Sequence, residues 1–435
     1  MIWNKAKECM SRDELAELQG ERLVKLVKYM YRNVQYYRKK MQKLGLEPGD
    51  IRGIEDLDKL PFTTQEDLID AYPQRMFAVL GRNNVRHRTS VHRTGIGAIA
   101  GYTQRDINVW SECMARSISM ADLGKKDIIS IAYNYGLCAD GLGAHYGAEK
   151  VGAAVIPASD CKPAVLIALM RRLLATGIIS PQPYLMRVAQ EVEDKGLKNC
   201  LQLKAAICGG GHWTEEVRKK IQDRLGIKAY DIFGLNELTG LGVACECECQ
   251  NGMHIQEDFF LAEILDTNTL IVLPGGRRGE LICTTLQKEG IPLIRYRTMR
   301  ITKINYEKCE CGRTMARIDR ICESTDDMLM IRGNSVFVFQ IETVLLNLQN
   351  INASYVVCIR KEHHLDVVDI YIEIDSRKRE MLSESEEAVK HRVADAVSNV
   401  IGLMPRVHCV SCDENQSYIE NPMEKKVIIV DERKY

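Results

Sequence analysis

The 435-residue chain lacks net charge: 59 lysines and arginines are balanced by 59 aspartates and glutamates. No global field draws it to nucleic acid or to an anionic membrane. It also lacks any run of 18 apolar residues, which argues against a membrane-spanning helix, and its opening, Met1-Ile2-Trp3-Asn4-Lys5, is too polar for a secretory signal. The expected compartment is the cytoplasm. Nothing in the composition points to disorder, and with 46% hydrophobic residues the chain is long enough for two or three domains with real cores. A disulfide framework is not expected either. The sixteen cysteines sit in a long chain, mostly singly in apolar segments, so Cys113, Cys138, Cys208, Cys283 and Cys358 read as small buried thiols.

What is present begins with helical periodicity over residues 11–44, where Leu15, Leu18, Leu23, Leu26, Val27, Met30 and Val34 share one stripe. Thr63-Thr64-Gln65-Glu66-Asp67 joins a hydroxyl cap to acidic first-turn residues and predicts a helix start. Strand-like runs at 128–132 and 153–156 flank a predicted helix over 143–151, the pattern of a βαβ unit and a mostly parallel sheet covered by helices. A strand at 176–180 lies in the helix-rich stretch 164–196, and 203–208 reads as another strand before a Gly209-Gly210-Gly211 turn. Beyond residue 326 strands and helices alternate as in a separate α+β lobe of about a hundred residues.

Two constellations carry chemistry. Residues 229–240, Ala-Tyr-Asp-Ile-Phe-Gly-Leu-Asn-Glu-Leu-Thr-Gly, form a buried strand that delivers Gly234, Asn236 and Glu237 to its carboxyl end, where open α/β sheets place their ligands. Glu237 is the natural metal-facing carboxylate. The second is cysteine-rich: Cys245, Cys247 and Cys249 precede His254, and Cys309-Glu310-Cys311 follows some fifty residues on. Thiolates and an imidazole are the ligands of a structural zinc, and four of them close a tetrahedral shell. Cys245 and Cys249 rival Cys247 for the first place.

Residues 229–240 resemble the adenine- and magnesium-binding segment of the adenylate-forming ligases, and the chain as a whole is similar to their phenylacetate–coenzyme A ligase branch. The likeness runs from Tyr29 to Asp431, through Tyr36-Tyr37-Arg38, Leu60-Pro61-Phe62-Thr63-Thr64, Gly141-Leu-Gly-Ala-His-Tyr-Gly147, Ile294-Arg-Tyr-Arg-Thr298 and Asp326-Asp-Met-Leu-Met-Ile-Arg-Gly333. It implies an α/β fold with a large amino-terminal lobe (1–325) and a small mobile α+β carboxyl-terminal lobe (326–435) that swivels at Asp326. It implies an AMP-forming carboxylic acid–coenzyme A ligase that uses ATP, magnesium, coenzyme A and a small carboxylic acid, with no nucleic-acid or membrane partner and a homodimer left open. Nucleotide contacts would come from Thr94 and Gly95, from Gly209, Gly210 and Gly211, and from Tyr230, Asp231, Phe233, Gly234 and Asn236. Lys425 occupies the place of the catalytic lysine, and Cys247, His254, Cys309 and Cys311 that of the zinc ligands in members that carry zinc.

The sequence departs from the family pattern at nucleotide-facing places. Ile96 stands for the phosphate-loop lysine, Gly211 for a glutamate, Ser324 for an arginine, and Arg300 for the aspartate that accepts from the ribose hydroxyls. Arginine has donors only. These departures support an alternative reading: a catalytically impaired paralogue that retains the fold and the zinc and acts as a binding or regulatory protein.

Overall fold

The structure, a computed structural model, describes residues 1–435 except 72–74, 80–82, 93–94, 137–139, 160, 210–212, 322, 325–327, 332–333, 338–340, 342–343, 346–347, 349–350, 363–364, 375–384, 411–426 and 432–435. The chain divides into two compact units, Met1–Gly211 with Ile221–Ile321 and His212–Lys220 with Cys322–Tyr435.

In the first unit a short helix, α1 (Lys5–Glu8), precedes α2 (Arg12–Asn33). Ser11 caps α2: its hydroxyl accepts from the Glu14 amide while the Glu14 carboxylate accepts from the Ser11 amide, a reciprocal capping box. The predicted stripe is buried at Leu15, Leu23, Leu26, Val27 and Met30. The single helix expected to residue 44 is instead two, because Val34 is extended (φ −110°, ψ 106°) and α3 (Gln35–Lys43) starts afresh. That break seats Tyr37 in the core, with its hydroxyl 2.7 Å from Thr63 Oγ1. The helix predicted from the Thr63-Thr64 signal is α4 (Gln65–Ala71), with the Asp67 amide donating to Thr64 Oγ1.

Residues 89–103, where the resemblance implies a glycine-rich phosphate loop, fall largely within a paired hairpin of β1 (Arg86–His92) and β2 (Gly95–Tyr102), with 93–94 outside the described residues. The main sheet follows: β3 (Ile128–Ile131), β4 (Ala154–Pro157), β5 (Gly177–Pro181), β6 (Ala205–Gly209) and β7 (Lys228–Leu235) are parallel in the order β4–β3–β5–β6–β7. They alternate with helices α6 (Asp140–Val151), α7 (Pro163–Arg172), α8 (Gln182–Asp194) and α9 (Glu215–Leu225), and α5 (Gln104–Met120) precedes β3. The βαβ pattern read from 128–157 is therefore present, with boundaries moved by one to three residues. Apolar runs such as Ala205-Ala-Ile-Cys-Gly209, buried throughout, suit strands covered on both faces.

At β7 the sheet changes sense. The antiparallel strands β8 (Gly240–Glu246) and β9 (Met253–Ile255) continue it, and β10 (Phe260–Leu265), β11 (Val272–Leu273), β12 (Arg278–Thr285) and β13 (Tyr296–Asn305) pair antiparallel in the order β11–β10–β12–β13. The two-residue strand β14 (Arg317–Ile318) bridges β13 to β9. The second unit carries β15 (Glu323–Ser324), a hairpin of β16 (Met328–Ile331) and β17 (Asn334–Phe337), and a four-stranded sheet. In that sheet β18 (Ile351–Glu362) and β19 (Leu365–Ile374) pair antiparallel, flanked by parallel β21 (Val427–Asp431) and β20 (Arg406–Val410). Val357, Ile359, Val368, Ile370 and Ile372 bury one face against Val389, Val393, Val397 and Ile401 of α10 (Glu386–Ile401). The outer strand β20, whose alternating Val407 and Cys409 pack on the same core, was not anticipated.

Candidate active site and metal centre

The turn 236–239 lies where β7 ends and β8 returns, the point at which parallel pairing gives way to antiparallel. Two glycines make it possible. A Cβ on Gly234 would overlap the carbonyl oxygen of Gly240, and Gly240 itself has φ +107°, a conformation that L side chains rarely adopt. Upstream on β7, Tyr230 and Phe233 are buried in the core, and burial raises the Tyr230 hydroxyl to about 12. The Asp231 side chain is buried and pairs with Arg320 at 3.4 Å, while its amide donates to Glu246. Gly209 closes β6 beside them, and its backbone is held at both ends: its amide donates to the Tyr133 hydroxyl (2.9 Å), which donates to its carbonyl (2.8 Å).

The turn is gripped from behind by side chains that local sequence gave no reason to select. Arg88 of β1 is 1% exposed, and its Nη2 donates to Asn236 Oδ1 at 2.6 Å and to Asp140 Oδ1 at 2.9 Å. Its guanidinium lies 4.8 Å from the centre of the Trp110 ring, against the open face that Gly240 leaves. The Tyr102 hydroxyl is 3.0 Å from the Thr239 carbonyl and stacks its ring on Trp110. Lys288, between β12 and β13, donates to the Glu237 carbonyl at 2.6 Å. Burial pulls the Lys288 ammonium down to about 8, against the opposing attraction of Asp106 and Glu237. Burial likewise raises Asp140, against the pull of Arg88. Glu237 is half-buried, and among the described residues no hydrogen bond or ion pair engages its carboxylate. A pocket bordered by Asn236, Glu237, Ile99, Ala100, Ile291 and Leu293 adjoins it.

Arg300 sits in β13, half-buried, one residue after Met299, which takes a left-handed φ of +60°. Its amide donates to Thr298 Oγ1. Gly95 opens β2 opposite His92. Thr94, Gly210, Gly211, Asp326 and Lys425 fall outside the described residues.

The cysteine-rich loops converge. One donor atom from each of Cys247, His254, Cys309 and Cys311 lies within 4.8 Å of the others, with Cys247 Sγ 3.7 Å from Cys309 Sγ and Cys311 Sγ 3.5 Å from His254 Nε2. His254 Nδ1 is 3.1 Å from the Met315 carbonyl, which directs Nε2 toward the thiols. Cys311 is held far below the usual thiol range, first by its hydrogen bond with Cys247 and then by that with His254. The rivals lie elsewhere: Cys245 is within reach of the Ser117 carbonyl, and neither it nor Cys249 belongs to the group. Three soft donors and one imidazole suit a closed tetrahedral metal site.

The fold is that of the adenylate-forming enzymes. Residues 333–433 match the AMP-binding enzyme C-terminal domain. A crystal structure of 2-hydroxyisobutyryl-CoA ligase in the postadenylation state, in complex with R3-HIB-AMP, has the same fold, with a TM-score of 0.86 at 21% identity over 100% of this chain and 93% of that one. The phenylacetate–coenzyme A ligase of Pseudomonas putida is 39% identical over 93% of this chain and 92% of its own length. That of Thermus thermophilus is 37% identical over 94% and 95%, and that of Escherichia coli 39% over 93% of each. The chain belongs to the phenylacetate–coenzyme A ligase family. It is an acid–coenzyme A ligase of the AMP-forming type, as the resemblance seen in the sequence implied. No helix among the described residues is long and apolar enough to cross a membrane.

Proposed function

We propose that the chain joins a small carboxylic acid, phenylacetate or a close relative, to coenzyme A at the carboxyl edge of β7. The carboxylate oxygen attacks the α-phosphorus of ATP, the bond to the bridging oxygen breaks and pyrophosphate leaves. The coenzyme A sulfur then attacks the acyl carbonyl, loses its proton and displaces AMP. The observation that supports this most directly is the Glu237 turn, held at the Glu237 and Thr239 carbonyls and at Asn236 Oδ1 while no hydrogen bond or ion pair among the described residues engages the Glu237 carboxylate. Magnesium, when bound, would neutralise phosphate charge there. Lys425 is proposed to steady the charge that builds in the first transition state. Thr94, Gly95 and Gly209 to Gly211 are proposed as the nucleotide cradle, and 326–435 as the lobe that turns about Asp326.

The four-donor group fits zinc, with Cys247, His254, Cys309 and Cys311 as its ligands, in a structural role because four protein donors leave no open position. A cytoplasmic location fits the thirteen cysteines that stand outside any disulfide among the described residues. One observation favours a second reading, a protein that binds without turnover: Arg300 holds the place of the ribose-accepting aspartate. Pyrophosphate release is the deciding measurement, with magnesium and ATP over a panel of aryl and short acyl acids. Acid-dependent release supports the ligase. Saturating protein with no release from any acid supports the second reading.

A further inference from the structure

The buried cations around the Glu237 turn have no role in the chemistry described so far. Arg88 and Lys288 come from distant parts of the chain, β1 and the β12–β13 connection, yet both aim their donors at one four-residue turn. Lys288 takes the carbonyl of Glu237 itself, and Arg88 takes the side chain of the preceding Asn236. Burying a lysine costs folding free energy unless the ammonium has acceptors, and this one has the Glu237 carbonyl at 2.6 Å, with the Tyr102 ring 5.3 Å away. Arg88 is likewise enclosed between Trp110, Tyr102 and Asp140, which removes its freedom to swing toward a ligand. Both side chains bond the turn through Asn236 Oδ1 and the Glu237 carbonyl, whereas Glu237 borders the pocket and its carboxylate has no hydrogen bond or ion pair among the described residues. A carboxylate that must meet a metal at a fixed distance gains from a backbone that cannot drift.

We propose that Lys288 and Arg88 are positioning residues for Glu237: they fix the backbone of the turn so that its carboxylate is presented to the magnesium–nucleotide complex in one orientation. This rests on the reading of Glu237 as the magnesium-facing carboxylate. Lys288 acts on the peptide that carries the carboxylate, and Arg88 acts one residue earlier through Asn236. Neither touches the reacting atoms.

The test compares full-length Lys288→Met, Lys288→Arg, Arg88→Gln and Glu237→Gln proteins. Pyrophosphate release with ATP and phenylacetate is followed over a magnesium series, and amide hydrogen exchange is read over residues 235–240. Lys288→Met is expected to raise the half-saturating magnesium concentration by about tenfold or more, the range seen when the residues that orient a metal ligand are removed. It is also expected to speed exchange of the Leu238 and Thr239 amides, which bond to the Leu235 carbonyl. The phenylacetate KM should stay as in the wild type, and Lys288→Arg, which keeps a donor at this place, should recover most of the magnesium response. Arg88→Gln should shift in the same direction. Unchanged magnesium response and unchanged exchange in Lys288→Met would overturn the proposal, as would a loss confined to the unfolding midpoint. If Glu237→Gln responds to magnesium as the wild type does, the assignment of Glu237 fails instead. The exchange arm still decides whether the cations hold the turn, even in a protein that turns over no acid.

Discussion

The Glu8 carboxylate accepts from Arg313 Nε at 2.6 Å, and neither side chain has any solvent exposure. The pair fastens α1 to the loop that carries Cys309 and Cys311. The same loop is tied to the amino-terminal segment again through Thr314, whose amide donates to the Glu8 carbonyl. A charge left alone in such a place costs far more than the pair contributes.

Arg313→Met is therefore expected to lower stability by about 3–5 kcal/mol, because it strands a buried carboxylate. The double change Glu8→Leu with Arg313→Met should cost clearly less than the single one. Urea unfolding of the two proteins side by side checks this, and an equal loss in both would rule out the stranded charge as the cause.

Metal content tests the four-donor centre. Cys247→Ser and Cys309→Ser are each expected to lose bound zinc, whereas Cys245→Ser and Cys249→Ser should keep it, since neither thiol joins the group. Elemental analysis after gel filtration gives the stoichiometry. Retention of zinc by both of the first two variants would reject this ligand set.

Lys288 predicts a pH dependence of stability. Burial lowers its folded pKa to about 8 from an ordinary 10.5. Below pH 8 folded and unfolded chains both carry the proton, and the fold bears the full penalty of the buried charge. Between 8 and 10.5 the unfolded chain holds the proton that the folded chain has released, so stability rises with pH. The rise attributable to this one group is up to ~3 kcal/mol. Unfolding curves at pH 7.5 and 9.5 for wild type and Lys288→Met isolate it, and a wild-type curve that moves no differently from the variant's would count against it.

Gly234→Ala tests the close approach that shapes the active-site turn. Its new Cβ would collide with the backbone carbonyl of Gly240, which cannot rotate away as a side chain can. A loss of about 1–3 kcal/mol is expected from the overpacking, together with weakened magnesium dependence of pyrophosphate release. Calorimetry and the release assay measure the two effects. A melting temperature equal to that of the wild type would show that the hairpin yields at no cost.

How much of this was legible depended on range. The parallel strands could be read because a strand buried on both faces must be apolar along its length, as Ile128-Ile-Ser-Ile131 and Ala205-Ala-Ile-Cys-Gly209 are. The cysteine–histidine group was legible because its residue types rarely coincide without a metal, although only the fold could choose Cys247 over its neighbours at 245 and 249. The β1–β2 hairpin was not, since Arg86-His-Arg-Thr-Ser-Val-His92 is polar and its partner is rich in glycine. Arg88 and Lys288 were hidden for a different reason. A lone cation in a sequence reads as solvated, and only the acceptors brought to it by β7, β8 and α6 make its burial tolerable. The break at Val34 was equally silent, because the hydrophobic stripe runs through it and the interruption serves Tyr37.

The two-residue strand β14 has a consequence for synthesis. It is the splice between β9 and β13, so a nascent chain that has already made every parallel strand of the main sheet still presents the Met253–Ile255 edge bare until residue 318 emerges from the ribosome. A pause over the intervening sixty-odd residues leaves that ladder open to another chain, and slow translation there should raise the aggregated fraction more than slow translation anywhere in the first two hundred residues.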